Sequence, residues 1–343
     1  MDLNQLWFFL LGVLLAGYAV LDGFDFGVGI LMPLARTDRE RRVILNSIGP
    51  IWDGNEVWLV TFGGAMFAAF PELYATVFSG FYIAFMLVLL ALIFRAVSIE
   101  FRSKMNSEVW RRVWDRGFFA SSALAALLFG VVIGAIMTGV PVDENAIVTG
   151  TFFDMLFPKA QPIFPLLVGL LTAALFTMHG AIYLFLKTGD ELQQRVRRWM
   201  WHGFGTFLAL YLITTIVALM TLPRAAANFK AYPWTWIVVV ISILAIANIP
   251  RAIFHDRAAE AFVSSSLVIV SLVGLVGIAL FPNLLLSSIT PANNLDIYNA
   301  ASSPKTLGIM AIMAALGMPF VLAYTAVIYW TYRGKVRLGD HSY

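Results

Sequence analysis

Cysteine is absent from this chain, which removes disulfides, thiolate metal sites and cysteine nucleophiles at once and leaves the redox compartment open. Charge is scarce as well. Asp, Glu, Lys and Arg make up 13% of the 343 residues, against 60% hydrophobic residues. The net charge of +3 is small and the basic residues fall in short clusters, so a nucleic-acid partner is not expected. Only four histidines are present. No zinc, phosphate or nucleotide-binding spacing occurs, and no serine, histidine and acid arrangement stands out. No long linker, low-complexity tract or internal sequence repeat divides the chain. The N-terminus lacks the basic segment and small-residue cleavage site of a secretory signal, so the first apolar run is expected to stay as a helix.

What the sequence does hold is a succession of apolar runs long enough to cross a bilayer. They predict an all-α polytopic membrane protein with nine helices in a single integral membrane domain, near 6–34, 51–70, 73–94, 118–140, 163–186, 200–222, 232–249, 262–281 and 307–332. Alternate connections collect the cations. One side holds Arg36, Arg39, Arg41, Arg42, Arg95, Arg102, Lys104, Arg111, Arg112, Arg116, Lys187, Arg195, Arg197, Arg198, Arg251, Arg257, Arg333, Lys335 and Arg337. The other side holds only Lys159, Arg224, Lys230 and Lys305. This asymmetry predicts an outside N-terminus and a cytoplasmic C-terminus. Ser303-Pro304 reads as a cap and first-turn proline for the last helix. Gly23, Gly27 and Gly29 make a small-residue stripe on the first helix where another backbone can approach. Trp110, Trp114, Trp199, Trp201, Trp234 and Trp236 lie near predicted span ends, as interfacial anchors do.

Acids inside the spans carry the functional signal. Asp22 and Asp25 sit three residues apart on one face of the first helix, and Asp53 and Glu56 repeat that spacing at the start of the second. An acid in hydrocarbon costs roughly 2.5–3.5 kcal/mol on insertion scales, so it is normally paired, hydrated or used to move a proton. Both pairs are placed near the cytoplasmic face, which suggests a proton entry path. The plainer reading is that Asp22 hydrogen-bonds a neighbouring helix and that Asp53 is an N-terminal acid favoured by the helix dipole, its head in water. Glu72 and Glu100 read as solvated. His255 and His341 fall in polar stretches, His202 lies near the start of the sixth span, and His179 lies inside the fifth. A lone buried histidine reads as a hydrogen-bonded polar residue before an axial haem ligand.

Five stretches then resemble one family. Asp22-Gly23-Phe24-Asp25-Phe26-Gly27-Val28-Gly29, the 49–59 segment with Trp52-Asp53-Gly54-Asn55-Glu56, and Phe78-Ser79-Gly80-Phe81-Tyr82 look like subunit II of cytochrome bd-type quinol oxidases. So do Phe94-Arg95 with Glu100-Phe101-Arg102-Ser103-Lys104, and Ala301-Ser302-Ser303-Pro304-Lys305-Thr306-Leu307. The resemblance implies two four-helix bundles plus a ninth helix, in a bacterial inner-membrane complex with a homologous subunit I. That partner carries the quinol site, b-type haems and a d-type haem, while subunit II ligates no haem or metal and has no catalytic residue of its own. Further implied partners are small accessory subunits and a bound lipid or quinone. The complex oxidises quinol and reduces dioxygen to water with cytoplasmic protons, without pumping. Asp53 matches the family acid on a proton route toward the d haem, and Asp25 an acid important for the haem region; Asp22, Glu56, Trp52 and Asn55 follow by extension. Family members also carry Gln where this chain has Glu56, and some have a long insertion where 223–231 is short. The competing expectation is a proton-coupled secondary transporter, with a binding cavity near mid-bilayer and activity without a partner.

Overall fold

A computed structural model describes residues 2–158, 161–222, 226–339 and 342. Lys159, Arg224 and His341, and Pro223 at the start of the short loop, lie outside the described residues. The chain is helical almost throughout. It runs α1 (Leu3–Leu31), α2 (Asp38–Ile48), α3 (Trp52–Ala69), α4 (Pro71–Gly80), α5 (Tyr82–Phe101), α6 (Glu108–Thr138) and α7 (Phe152–Leu156). Then come α8 (Phe164–Lys187), α9 (Asp190–Thr221), α10 (Ala227–Ala231), α11 (Trp236–Phe254) and α12 (Ala258–Leu280). A short antiparallel pair, β1 (Asn283–Leu285) with β2 (Leu295–Asp296), precedes α13 (Pro304–Thr331).

Among the described residues, eight helices are long and apolar enough to cross a membrane. The expected ninth, α3, is present as an 18-residue helix, but Asp53, Asn55 and Glu56 in its first turns keep it out of that group. The expected span at 73–94 is corrected. Pro71 cannot donate to the turn before it, so the chain breaks at Phe70 and α4 starts afresh. A second break at Phe81 moves the long helix to Tyr82–Phe101. Two other helices begin about ten residues before their apolar runs. α6 is started by Ser107, whose hydroxyl accepts from the Trp110 N–H at 3.4 Å, and α9 starts at Asp190. The last helix starts as read, with Ser303 accepting from Thr306 and Pro304 in the first turn.

The packing centres on α1, which lies against α3, α6, α8 and α12. In chain order the long helices fall into a first half, α1, α3, α5 and α6, and a second half, α8, α9, α11 and α12, packed extensively on each other through α8 against α6 and α1, with α13 leaning on α1 and α3. The two sets meet through glycine. A Cβ on Gly27 would lie 1.9 Å from the Phe176 carbonyl oxygen, and one on Gly180 would lie 2.5 Å from the Gly27 backbone, so α1 and α8 cross backbone to backbone. Gly130 and Gly169 do the same for α6 and α8.

Each end of the bundle is closed differently. At one end the Trp7 indole donates to the Leu307 carbonyl at 3.0 Å, and Ser302 bonds the Ala68 and Ala69 carbonyls, tying α13 to α1 and α3. At the other end α2, held by a Thr37–Glu40 capping box, lies across the helix ends with Ile44, Leu45 and Ile48 buried. Its acids form an ionic collar. Arg102 binds Asp38 at 2.8 Å and Asp115 at 2.5 Å, and Arg195 of α9 pairs with Glu40.

Candidate functional site

The acids of α1 meet a cation that the charge count had placed in a loop. Arg95 sits inside α5, with none of its surface exposed. Its Nη2 lies 2.7 Å from Asp22 Oδ1 and is in direct contact with Glu56 Oε1. Its guanidinium carbon stands 4.1 Å over the Phe26 ring, a cation–π contact that gains strength where water is excluded. A buried charge without a partner is costly, so this guanidinium and these carboxylates hold one another in place. Arginine keeps its proton throughout the accessible pH range. Arg95 is therefore a fixed counter-charge and not a carrier.

Asp25 is held by different means. Its Oδ2 accepts from Asn55 Nδ2 at 2.7 Å; the same amide nitrogen donates to the Leu21 carbonyl at 3.1 Å, and Asn55 Oδ1 accepts from the Tyr329 hydroxyl at 2.8 Å. Asp22, Asp25, Asn55 and Arg95 are all buried, whereas the Glu56 side chain is 24% exposed and links the cluster to the surface. Several atoms of the cluster have no hydrogen-bond partner: Tyr18 Oη, both Asp22 carboxyl oxygens, Asp25 Oδ1, and Arg95 Nε and Nη1. The Asp22–Arg95 approach is a close ionic contact. Three carboxyls against a single guanidinium leave room to take up a proton without creating an uncompensated buried cation.

Asp53 stands apart from this cluster. It is exposed, on a stripe of α3 that continues through Val57, Val60, Gly64 and Phe67 at helical spacing. Asn55 and Glu56 turn inward, and Trp52 is buried in the first turn. The four acids are therefore not equivalent: two share Arg95, Asp25 is hydrogen-bonded to an amide, and Asp53 faces outward. Glu72 is exposed, and Glu100 lies in the last turn of α5.

His179 is fully buried with both ring nitrogens engaged, Nδ1 with Ser265 Oγ at 2.7 Å and Nε2 with the Val20 carbonyl at 3.1 Å. Its ring stacks on Phe262 at 4.8 Å. His202 and His255 are exposed. Among the described residues no group of three or more acids and histidines is arranged to hold a metal ion. A haem needs an axial nitrogen free to bind iron, and the His179 pocket does not fit one.

Sequence reasoning missed three members of this site. Arg95 could have been found, because a cation flanked by Ile93, Phe94, Ala96 and Val97 interrupts an apolar run. Tyr18, in the middle of α1, reads as one more core aromatic, and Tyr329, near the end of α13, as an interfacial one, so neither carries such a mark.

Comparison with known proteins gives one consistent match. The family model for cytochrome bd terminal oxidase subunit II matches residues 3–332. The cytochrome bd-I ubiquinol oxidase subunit 2 of Escherichia coli strain K12 is 38% identical, across 98% of this chain and 96% of its own length. The cytochrome bd ubiquinol oxidase subunit 2 of Bacillus subtilis is 35% identical, across 98% and 97%. The fold is similar to a chain in the structure of bd oxidase from Geobacillus thermodenitrificans, with a TM-score of 0.79 and 18% identity over 97% of this chain and 99% of that one.

Proposed function

Because this chain belongs to the cytochrome bd terminal oxidase subunit II family and is a component of a quinol:oxygen oxidoreductase, we propose that it feeds protons to a haem-bearing subunit I across the open face of α3. The observation that carries this reading is the division of labour on one helix, with Asp53 outward and Asn55 and Glu56 turned into the ion-paired cluster. Asp53 is the acceptor and donor of H⁺ at the seam between subunits. Asp22 and Glu56 share the Arg95 guanidinium, whereas Asp25 lies off it, gripped by Asn55 at one oxygen and offering the other to a proton. Trp52 packs under the start of α3 and keeps Asp53 at its position.

In this reading the b- and d-type haems and the quinol site belong to the partner, and the haem iron supplies the dioxygen chemistry there. The subunits form an inner-membrane complex with the N-terminus of this chain outside, where small accessory subunits, lipid or a structural quinone are further candidates for contact. The chain acts as one integral membrane domain that contributes to proton-motive force without pumping. No observation favours the transporter alternative.

Asp53→Asn in the assembled oxidase tests the proposal. Proton-transfer groups typically contribute a hundredfold or more to rate, and the variant is expected to consume oxygen at least roughly tenfold more slowly with its haem spectrum intact. Wild-type turnover in a fully haem-loaded variant rejects the assignment.

A further inference from the structure

α13 is the least embedded long helix in the structure. Its residues from Ile309 to Trp330 are mostly exposed, and Leu307 is the one buried residue along it. Yet near its far end Tyr329 reaches inward and donates to Asn55 Oδ1 at 2.8 Å, the amide that holds Asp25. The ring also packs against Phe24, with centroids 6.5 Å apart, between the two acids in sequence.

We infer that Tyr329 is a positioning residue that fixes which oxygen of Asp25 takes a proton; the role of Asp25 in turnover rests on the function proposed above. The argument is one of donor and acceptor accounting. The amide of Asn55 has one acceptor oxygen and two N–H donors. The Leu21 carbonyl can only accept, so it must face the amide nitrogen. The Tyr329 hydroxyl supplies the donor that the amide oxygen needs, and the second N–H then points at Asp25 Oδ2. With Oδ2 occupied as an acceptor, an incoming proton bonds to Oδ1, which has no partner. Uptake forms one O–H bond at that oxygen and removes one negative charge from the cluster; release reverses both. The titratable and charged groups that face Asp25 are Asp22 on α1, Glu56 on α3, Arg95 on α5, Tyr183 on α8 and Tyr329 itself. Without the tyrosine hydroxyl the amide oxygen loses its donor, and the grip of Asn55 on Oδ2 loosens. A single hydrogen bond of this sort changes a local equilibrium by roughly twofold to tenfold.

The test uses the whole oxidase, with the haem-bearing partner, carrying Tyr329→Phe, which deletes the hydroxyl and keeps the ring. Infrared difference spectra between acid and alkaline pH report the carboxylic C=O band of Asp25, identified by its disappearance in Asp25→Asn. In Tyr329→Phe that band is expected to move, its intensity at a fixed pH to change by roughly two- to tenfold, and the pH profile of oxygen consumption to be displaced, with haem content retained. A merely structural tyrosine would lower haem content or rate and leave band and profile where they are; that result overturns the inference. So does the absence of any band lost in Asp25→Asn. Should Tyr329→Phe not assemble, Tyr329→Met, which also lacks the hydroxyl, replaces it: the same displacement supports the inference and an unmoved band overturns it. Asp53→Asn separates the two proposals, since full activity there removes the proton route while the Asp25 band still reports on Tyr329.

Discussion

The two halves of the bundle solve the same packing problem with opposite polar chemistry. Inside α1, α3, α5 and α6 lie Asp22, Asp25, Glu56 and Arg95. Inside α8, α9, α11 and α12 the corresponding polar contacts are neutral, with His179 bonded to Ser265 and to the Val20 carbonyl. The ions of that second half are at its rim, where Glu260 takes Arg251 at 2.6 Å and Arg257 at 3.3 Å, all three side chains at least 31% exposed. Among the described residues this half closes without a fully buried ion; its most enclosed ion-paired cation, Arg195, keeps 12% of its side chain exposed and pairs with Glu40 at the collar. Buried ion pairs contribute little net stability compared with apolar packing of equal volume, so packing alone does not account for the charges of the first half.

Removing the counter-ion probes that contrast most strongly. Arg95→Met leaves Asp22 and Glu56 in the bundle without compensation, and breaking a buried pair from one side typically costs about 3–5 kcal/mol. The variant should lose most of its assembled, haem-loaded complex. Adding Asp22→Asn and Glu56→Gln to it should restore assembly while activity stays low. If Arg95→Met assembles and melts like wild type, the charged interior is not held by this arginine and the contrast between the halves loses its basis.

The seam between the halves comes next in size. Gly27→Val places a carbon against the Phe176 carbonyl at a 1.9 Å approach that no rotamer relieves, and overpacking of this sort costs about 1–3 kcal/mol. Gly12→Ala, with nothing within 4 Å of the added carbon, is the matched control. Differential melting of the two purified complexes should show the loss at Gly27 alone. An equal response at both positions would mean that α1 and α8 do not meet through glycine.

Much of this architecture was legible beforehand, and the parts that were not share a cause. Bilayer thickness imposes a length on apolar runs, so the helices announce themselves. Their ends do not, because α6 and α9 carry helical hydrogen bonding about ten residues beyond their apolar runs into charged sequence. α2 went unread although Thr37-Asp38-Arg39-Glu40 spells a capping box, since attention to apolar length overlooks a short amphipathic helix. The i, i+3 spacing brought Asp22 and Asp25 onto one face correctly, and the glycine stripe on α1 foretold a close crossing. For Asp53 and Glu56 the same spacing misled, because the width of a helix face leaves one outward and the other half-buried. Arg95 was assigned to a loop because counting cations by side treats every arginine near a span end as solvated. Pairing across helices, as with Tyr329 and Asn55, leaves no trace in local spacing.

The neutral half should tolerate loss of its polar contact better than the charged half does. Interhelical hydrogen bonds in membranes average about 0.6 kcal/mol and reach about 1.7. His179→Phe keeps a ring stacked on Phe262 and is expected to lower the melting temperature slightly with activity preserved. A collapse equal to that of Arg95→Met would place a second essential polar centre in α8.

The smallest effect belongs to the collar that joins the halves, and its sign follows from the acids of α2. Burial works against ionisation of Asp38, but hydrogen bonding and charge from Arg102, with Arg111 and Arg42 behind it, outweigh that and hold the carboxyl below its ordinary range. Burial likewise opposes Glu40, and the Arg36 N–H, Arg195 and the Thr37 N–H together pull it down. A carboxyl lowered on folding lends stability that is complete above its unfolded value, near 3.8 for Asp38 and 4.5 for Glu40, and is lost as pH falls through the folded one. The melting temperature should thus be insensitive to these groups around neutral pH and drop in mild acid, below about pH 4. Asp38→Asn with Glu40→Gln should flatten that acid limb while lowering stability at pH 7. Because the Asp38 side chain is 43% exposed, solvent screening keeps its share small. Glu40, joined to Arg195 of α9, is the acid whose loss should part α2 from the second half first; a drop produced by Asp38→Asn alone would instead place the acid-sensitive joint between α2 and α5.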